Sequence, residues 1–234
     1  MNTPPNSVAD GRFMNLAIIA ATGGIGRQLV EQALAAGHVV TAVVRDSRRV
    51  SAPIRVFTTD LASPDVATIR SAIQGADAVL SALGARSASD VGVAVRGTRA
   101  VTQAMGATAV RRIVVVSAAP IGTVPSPRRP DPPKYDPGDG FFMRHLLAPV
   151  TKAVLRRHYA DLARMEDTLI ESAADWTIVR PPRLTNGALT GAYRVARGHN
   201  LRHGLSISRA DVAHFMFRAL DDPTTIGQII GVAD

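Results

Sequence analysis

Leu16-Ala-Ile-Ile-Ala-Ala-Thr22-Gly23-Gly24-Ile25-Gly26-Arg27-Gln28-Leu-Val-Glu31 is an apolar run that breaks at three glycines and restarts with helical spacing. It predicts a strand, a tight loop and a helix. Glycines in such a loop let the backbone turn sharply and come close to a pyrophosphate, whose charge then meets the unpaired N–H groups at the helix N-terminus. Alanine stands at position 20, where the first glycine of the pattern is usual, and it is acceptable there if its φ stays negative. A strand over His38–Val44 follows through Gly37, placed as a helix C-terminal cap should be. The alternative is a tight strand-to-helix turn with no ligand.

Working outward, Arg45-Asp46-Ser47-Arg48-Arg49 begins nineteen residues beyond Gly26. An acidic residue at this strand end binds a ribose 2′-hydroxyl, whereas arginine accommodates a 2′-phosphate through its planar fork. Arg45 holds the strand end itself, so NADP(H) is the expected cofactor; a solvated charge cluster on the loop is the plainer alternative. Further strands are expected at Pro53–Phe57, Ala76–Leu80, Arg112–Val116 and Asp175–Val179. Between them lie helices over about Ser63–Ala72, capped by Ser63 with Pro64 at the first position, Val91–Ala107 and Tyr159–Ala173. Val93, Val101 and Met105 suit burial under the sheet. Alternating strands and helices, with a wholly apolar Val114-Val-Val116, imply an α/β fold: a Rossmann-like, doubly wound parallel sheet with a small C-terminal substrate lobe. Ligands of such sheets bind outside the carboxyl ends of the strands, so Gly23 to Gly26, Arg45, Asp60, Leu83, Gly84 and Ser117 should converge on one crevice.

The remaining segments are less regular. Residues 1–12 read as a disordered extension ahead of a single domain over 13–234. Seven prolines between Pro120 and Pro137 mark a loop over about 120–140, expected to be mobile. A basic amphipathic helix, Phe141–Leu155, could be a lid, a dimer face, a membrane-surface helix or simply packed against its neighbour. Tyr193–Ala196 is expected as a short strand in the C-terminal lobe. Ser208 should cap a helix carrying a structural His214, and Gly227–Ile230 should close the sheet.

Composition narrows the function classes. A 234-residue chain with 46% hydrophobic residues can build one sizeable core. With no cysteine there is no disulfide or thiolate chemistry, and no His/Asp/Glu spacing suggests a metal. Apolar segments stop well short of the ~20 residues of a membrane span and no signal-peptide core appears, so a cytoplasmic location is expected. The net charge of +8 rests on scattered arginines, Lys134 and Lys152 being the only lysines, and the pattern lacks the aromatic interleaving of a nucleic-acid surface.

These residues resemble the atypical short-chain dehydrogenase/reductase group of NAD(P)H-binding, NmrA-like proteins, most closely the flavin reductases of the biliverdin reductase B type. The likeness rests on Ala21-Thr-Gly-Gly-Ile-Gly26, Val44-Arg-Asp-Ser-Arg-Arg49, Val116-Ser-Ala118, Val179-Arg-Pro-Pro-Arg-Leu184, Leu189-Thr-Gly-Ala-Tyr193 and Asp211-Val-Ala-His-Phe-Met216. It implies that Thr22, Gly23, Gly24, Ile25 and Gly26 hold the pyrophosphate and that Arg45, Ser47 and Arg49 surround the 2′-phosphate. Asp60 and Leu61 would border the adenine, while Leu83, Gly84 and Arg86 line the cofactor's path. Ser117 would lie near the nicotinamide, with Pro181, Pro182 and Leu184 beside it. Arg183 stands where the flavin reductases carry a histidine and would face the substrate. The Tyr-x-x-x-Lys acid of conventional short-chain reductases is missing, since Tyr159 is followed four residues on by Ala163.

Reducing an ordinary ketone develops alkoxide charge and needs a positioned proton donor. A flavin or quinone accepts hydride and spreads the charge itself, so it needs mainly cofactor placement and an apolar slot. The expected function is therefore an NADPH-dependent oxidoreductase acting on a small, planar, conjugated acceptor, as a monomer or homodimer. The alternatives are a specialised biosynthetic reductase or isomerase on the same scaffold and a non-catalytic NADP(H) sensor. Ser117 is the catalytic candidate, against the plainer role of satisfying local backbone groups.

Overall fold

A computed structural model describes residues 13–84, 90–139 and 155–234. Arg86, the first twelve residues and the helix expected from Phe141 lie outside the described residues. The first strand, β1 (Asn15–Ile19), runs into the helix α1 (Gly24–Ala35), and β2 (Val39–Val44), β3 (Arg55–Thr58), α2 (Val66–Ile73) and β4 (Ala78–Ser81) follow. Then come α3 (Val93–Gly106), β5 (Arg112–Val116), α4 (Arg156–Ile170), β6 (Asp175–Arg180), β7 (Arg183–Thr185), β8 (Arg194–Arg197), β9 (Ser206–Ser208), α5 (Arg209–Asp221) and β10 (Gln228–Ala233). The main sheet has the order β3-β2-β1-β4-β5-β6-β10-β8, with every pairing parallel except β10 with β8. A parallel pair, β7 with β9, forms a separate two-stranded sheet.

Side-chain alternation along the strands splits the core in two. Ala17, Ile19, Val79, Ile113, Val115 and Ile178 face α2, α3 and α4, where Ile69, Val101, Met105, Met165 and Leu169 cover them. On the other face Leu16, Ile18, Leu80, Val114 and Val179 meet Ile25 and Leu29 of α1 and Val212 and Met216 of α5. Burial on both faces explains why the strands read as continuous apolar runs. Arg112 cross-braces the bottom of the sheet: it donates to the carbonyls of Asp175 and Ala219 and to Thr225 Oγ1. Burial lowers its pKa to about 10.

Four details differ from the sequence expectation. Helix α2 is capped by Asp65, not Ser63, because the Asp65 carboxylate accepts from the N–H groups of both Ala67 and Thr68; Pro64 thus precedes the cap. Residues 194–197 leave the C-terminal lobe and pair with β10, since Val232 and Ala233 extend the sheet past β6. The strand around Ile230 is therefore not the edge; β8 is. Ala20 takes φ +59, in the left-handed region, where negative φ was the condition for alanine.

The stretch after β5 begins with a 3-10 turn, Ala119–Thr123, and is tied to α4. Ser126 Oγ and the Arg128 N–H both donate to the Asp167 carboxylate, and Asp136 accepts from the N–H groups of Gly138 and Asn200. No helix among the described residues is long and apolar enough to cross a membrane.

Left-handed backbone costs an alanine roughly 1 kcal/mol more than a glycine, and the half-buried Ala20 methyl recovers part of that. Ala20→Gly is expected to raise the melting temperature by about 1–2 °C in a domain of this size. A fall of similar size on thermal denaturation would show that the methyl contact outweighs the strain.

Candidate functional site

The site begins where β1 ends, between β2 on one side and β4 on the other, so the chain leaves the central strand at the point where the strand order reverses. Gly26 is fixed by close packing: a Cβ there would lie 2.3 Å from the Ala20 carbonyl oxygen and 2.9 Å from Ala21 backbone atoms. No side chain fits between helix and turn. Gly23 is the N-cap of α1, with no side-chain capping bond and no acidic residue in the first turn. The first N–H groups of α1, including those of Gly24 and Ile25, therefore have no intrahelical partner and lie beyond the carboxyl end of β1. This geometry suits a phosphate anion.

Beside it opens a cleft. Ala20 and Thr22 form its floor, Leu61, Leu83, Gly84 and Val93 one wall, and Arg45, Asp46, Arg49, Asp60 and Asp90 its polar rim. Leu83 can lie there because Gly97 of α3 has no side chain; a Cβ would come within 2.4 Å of its Cδ2. Arg45 and Arg49 are exposed on the rim. Asp46 does not compete for a ribose from there: its carboxylate caps the short turn Ser47–Arg49 and binds the Arg48 guanidinium at 3.0 and 3.1 Å. The Arg48 hydrogen bond holds Asp46 below the usual carboxylate range. Asp90, unmarked in the sequence, stands 3.5 Å from Arg45 Nη1.

Thr22, Arg45, Arg49, Asp60, Leu61, Leu83 and Gly84 thus come together as expected, whereas Ser47 is exposed in its turn and outside the cleft lining. Ser117, Pro181, Pro182 and Leu184 also lie outside that lining, at the ends of β5 and β6. The Ser117 N–H donates to the Val179 carbonyl at 2.7 Å, and the Ala119 N–H to the Pro181 carbonyl at 2.9 Å. The Ser117 hydroxyl donates to Glu166 Oε1 at 2.6 Å. Arg180 grips the same carboxylate with both arms, Nε to Oε1 at 2.9 Å and Nη2 to Oε2 at 2.5 Å. All three residues are buried, Glu166 to within 1%. Ser117 therefore satisfies a carboxylate, not merely local backbone.

Sequence reasoning passed over the acids of α4. Asp161 accepts from the Ala94 and Val95 N–H groups and so caps α3 from a neighbouring helix; Glu166 and Asp167 are spent as described. For Glu166 the signal was present, because it falls beside Leu162, Met165 and Leu169 on the apolar side of the helix; Asp161 and Asp167 lie off that face and are buried by their partners. Arg183 starts β7 and is exposed. The C-terminal lobe hangs on buried Asp211, which accepts from Ser208 Oγ, Thr190 Oγ1 and the N–H groups of Thr190 and Gly191. His214 Nδ1 meets the Tyr193 hydroxyl at 2.8 Å, and burial, then Arg218, lowers its pKa. Ser208 caps α5 as expected, accepting from the Asp211 N–H.

The pattern that defines the NAD(P)H-binding family matches residues 20–223. Among solved structures, a short-chain dehydrogenase/reductase from Veillonella parvula in complex with NADP superposes with a TM-score of 0.75 at 17% identity, covering 95% of each chain. The anaerobillin reductase ChuY from Escherichia coli O157:H7 gives 0.72 at 22%, covering 94% of this chain and 96% of that one. A putative NAD-dependent epimerase/dehydratase from Bacillus halodurans gives 0.71 at 25%, covering 94% of both. With a helix N-terminus open to phosphate at the switch point of such a sheet, this chain belongs to the NAD(P)H-binding family and has the Rossmann-like fold of the short-chain dehydrogenases/reductases.

Proposed function

We propose that this chain is an NADPH-dependent reductase that passes hydride to a flavin, a quinone or another small planar conjugated acceptor. The observation that carries this is the Ser117 hydroxyl, whose proton is directed into the buried Glu166–Arg180 pair. A hydroxyl committed in that way is a poor acid toward an alkoxide, and α4 offers no Tyr/Lys pair in its place. A conjugated acceptor needs no such acid, because it spreads the transferred charge over its own ring system.

Under this reading the residues divide the work by chemistry. The loop Thr22 to Gly26 holds the pyrophosphate, with the open N–H groups of Gly24, Ile25 and Gly26 at the α1 N-terminus donating to it. Arg45 and Arg49, with Ser47 beside them, meet the 2′-phosphate, while Asp60 and Leu61 border the adenine and Leu83 and Gly84 shape the path inward. NADPH, once bound, supplies the hydride. Ser117, Pro181, Pro182 and Leu184 hold the nicotinamide end and keep water from it, and Arg183 at the start of β7 positions the acceptor. The similarity to ChuY, a reductase of anaerobillin, supports reduction as the reaction class.

Cofactor preference follows from the rim. Arg45→Ala is expected to weaken NADPH binding by about 1–2 kcal/mol, the lower part of the range for a charged hydrogen bond because the side chain is exposed, and to leave NADH nearly unchanged. Titration showing equal loss for both cofactors would remove the 2′-phosphate assignment.

The chemistry is tested by steady-state NADPH oxidation with FMN and with a quinone. Ser117→Ala is expected to cost about tenfold or less in kcat, and Arg183→Ala to raise KM with kcat held. A loss of roughly 100-fold in kcat at Ser117→Ala would make the serine an acid or oxyanion support and favour a carbonyl substrate. Tight NADP(H) binding with no turnover on any acceptor would point to a sensor.

A further inference from the structure

Arg209, the first residue of α5, is half-buried and lies over the first residue of α1. A Cβ at Gly24 would sit 2.6 Å from both Cδ and Nε of Arg209. Its Nη1 donates to the Thr185 carbonyl at 3.1 Å and to Asn186 Oδ1 at 2.7 Å, both neutral oxygens. One guanidinium is thus held at the N-terminal ends of two helices, where the backbone dipoles already place positive charge and a cation is unfavourable. No acidic residue in the first turn of α1 offsets it. Asp211, in the first turn of α5, is occupied by Ser208, Thr190 and Gly191. A side chain serving only as a strut could hydrogen-bond Thr185 and Asn186 without charge. A charge held there fits an anion arriving at the same place.

We infer that Arg209 is a further cofactor-binding residue: its guanidinium closes over the pyrophosphate at the α1 N-terminus while its Nη1 bonds tie the phosphate loop to β7. The inference rests on the NAD(P)H-binding site and is independent of which acceptor is reduced. It also gives Gly24 a specific cause, since the Arg209 stem fills the space a side chain would take. Because Thr185 ends the strand that Arg183 begins, the same residue joins the cofactor loop to the strand expected to face the acceptor.

The test is binding, not turnover. Calorimetric titration of Arg209→Gln, which removes the charge and whose shorter amide ends where Nε stood, is expected to raise the NADP+ dissociation constant about tenfold or more, as for loss of a charged hydrogen bond. Arg209→Lys, which keeps the charge, should recover much of that loss. Adenosine 2′-monophosphate has no pyrophosphate, so its affinity should stay within about twofold of wild type in Arg209→Gln, yet fall in Arg45→Ala. An NADP+ constant unchanged in Arg209→Gln overturns the inference, and so does an equal loss for both ligands, which would make Arg209 a structural strut. Undiminished 2′-monophosphate binding in Arg45→Ala would instead overturn the cofactor-preference reading, while the NADP+ loss in Arg209→Gln would still support the role of Arg209.

Discussion

The contact between the turn after β1 and the start of α1 constrains everything above the sheet. Helix and turn approach until only a hydrogen fits at Gly26, against the Ala20 carbonyl. To make that approach the chain at Ala20 adopts left-handed backbone that alanine does not favour. The strain is tolerated because Val43 and Gly23 lock the turn on both sides: the Ala20 N–H donates to the Val43 carbonyl, and the Gly23 N–H to the Ala20 carbonyl, each at 2.9 Å. What results is a helix end with open N–H groups, aimed at the reversal point of the strand order. Residues from other strands gather around this backbone junction, the point at which sheets of this kind take a phosphate.

The charge of the chain is better understood by place than by sum. Arg112 and Arg180 point into the protein, one donating to carbonyls and one to Glu166, and neither contributes a surface patch. Arg45, Arg49 and Arg209 instead border the β1 turn, on a loop and a helix end carried by two distant parts of the chain. A formal +8 therefore contains arginines that serve architecture and arginines gathered around the cleft and the β1 turn. Their planar fork suits both uses: it satisfies several oxygens at once in the core and matches phosphate geometry at the surface.

What was legible in the sequence is what local physics controls. The strands, α1 and its Gly37 cap showed through because apolar period and turn chemistry act over a few residues, and the φ of +80 at Gly37 is the conformation its position required. Arg45 and Leu83 were placed at strand ends by the same logic, and the cleft gathers them. Features set by distant partners did not show. Asp65 displaces Ser63 as the cap because the Asp65 N–H is fixed by Thr59 Oγ1, six residues back. Residues 194–197 join the main sheet because the β10 edge is free to receive them. The buried acids of α4 and the reach of Arg209 to Gly24 depend on tertiary packing, and a helical wheel shows only that a charge lies on the wrong face.

Glu166 is where those hidden contacts bear on chemistry. A carboxylate buried to within 1% is tolerable only while Arg180 holds both oxygens and Ser117 donates to one of them. Removing Arg180 would leave an uncompensated buried group at a cost of about 3–5 kcal/mol, whereas removing Ser117 leaves the Arg180 fork in place. The energetic asymmetry says which partner the network requires: Arg180 stabilises Glu166, and Glu166 in turn fixes the rotamer of Ser117. Under the proposed function, a serine so fixed has its value as a surface of constant shape at the end of β5. The hydride acceptor must then supply its own means of absorbing charge.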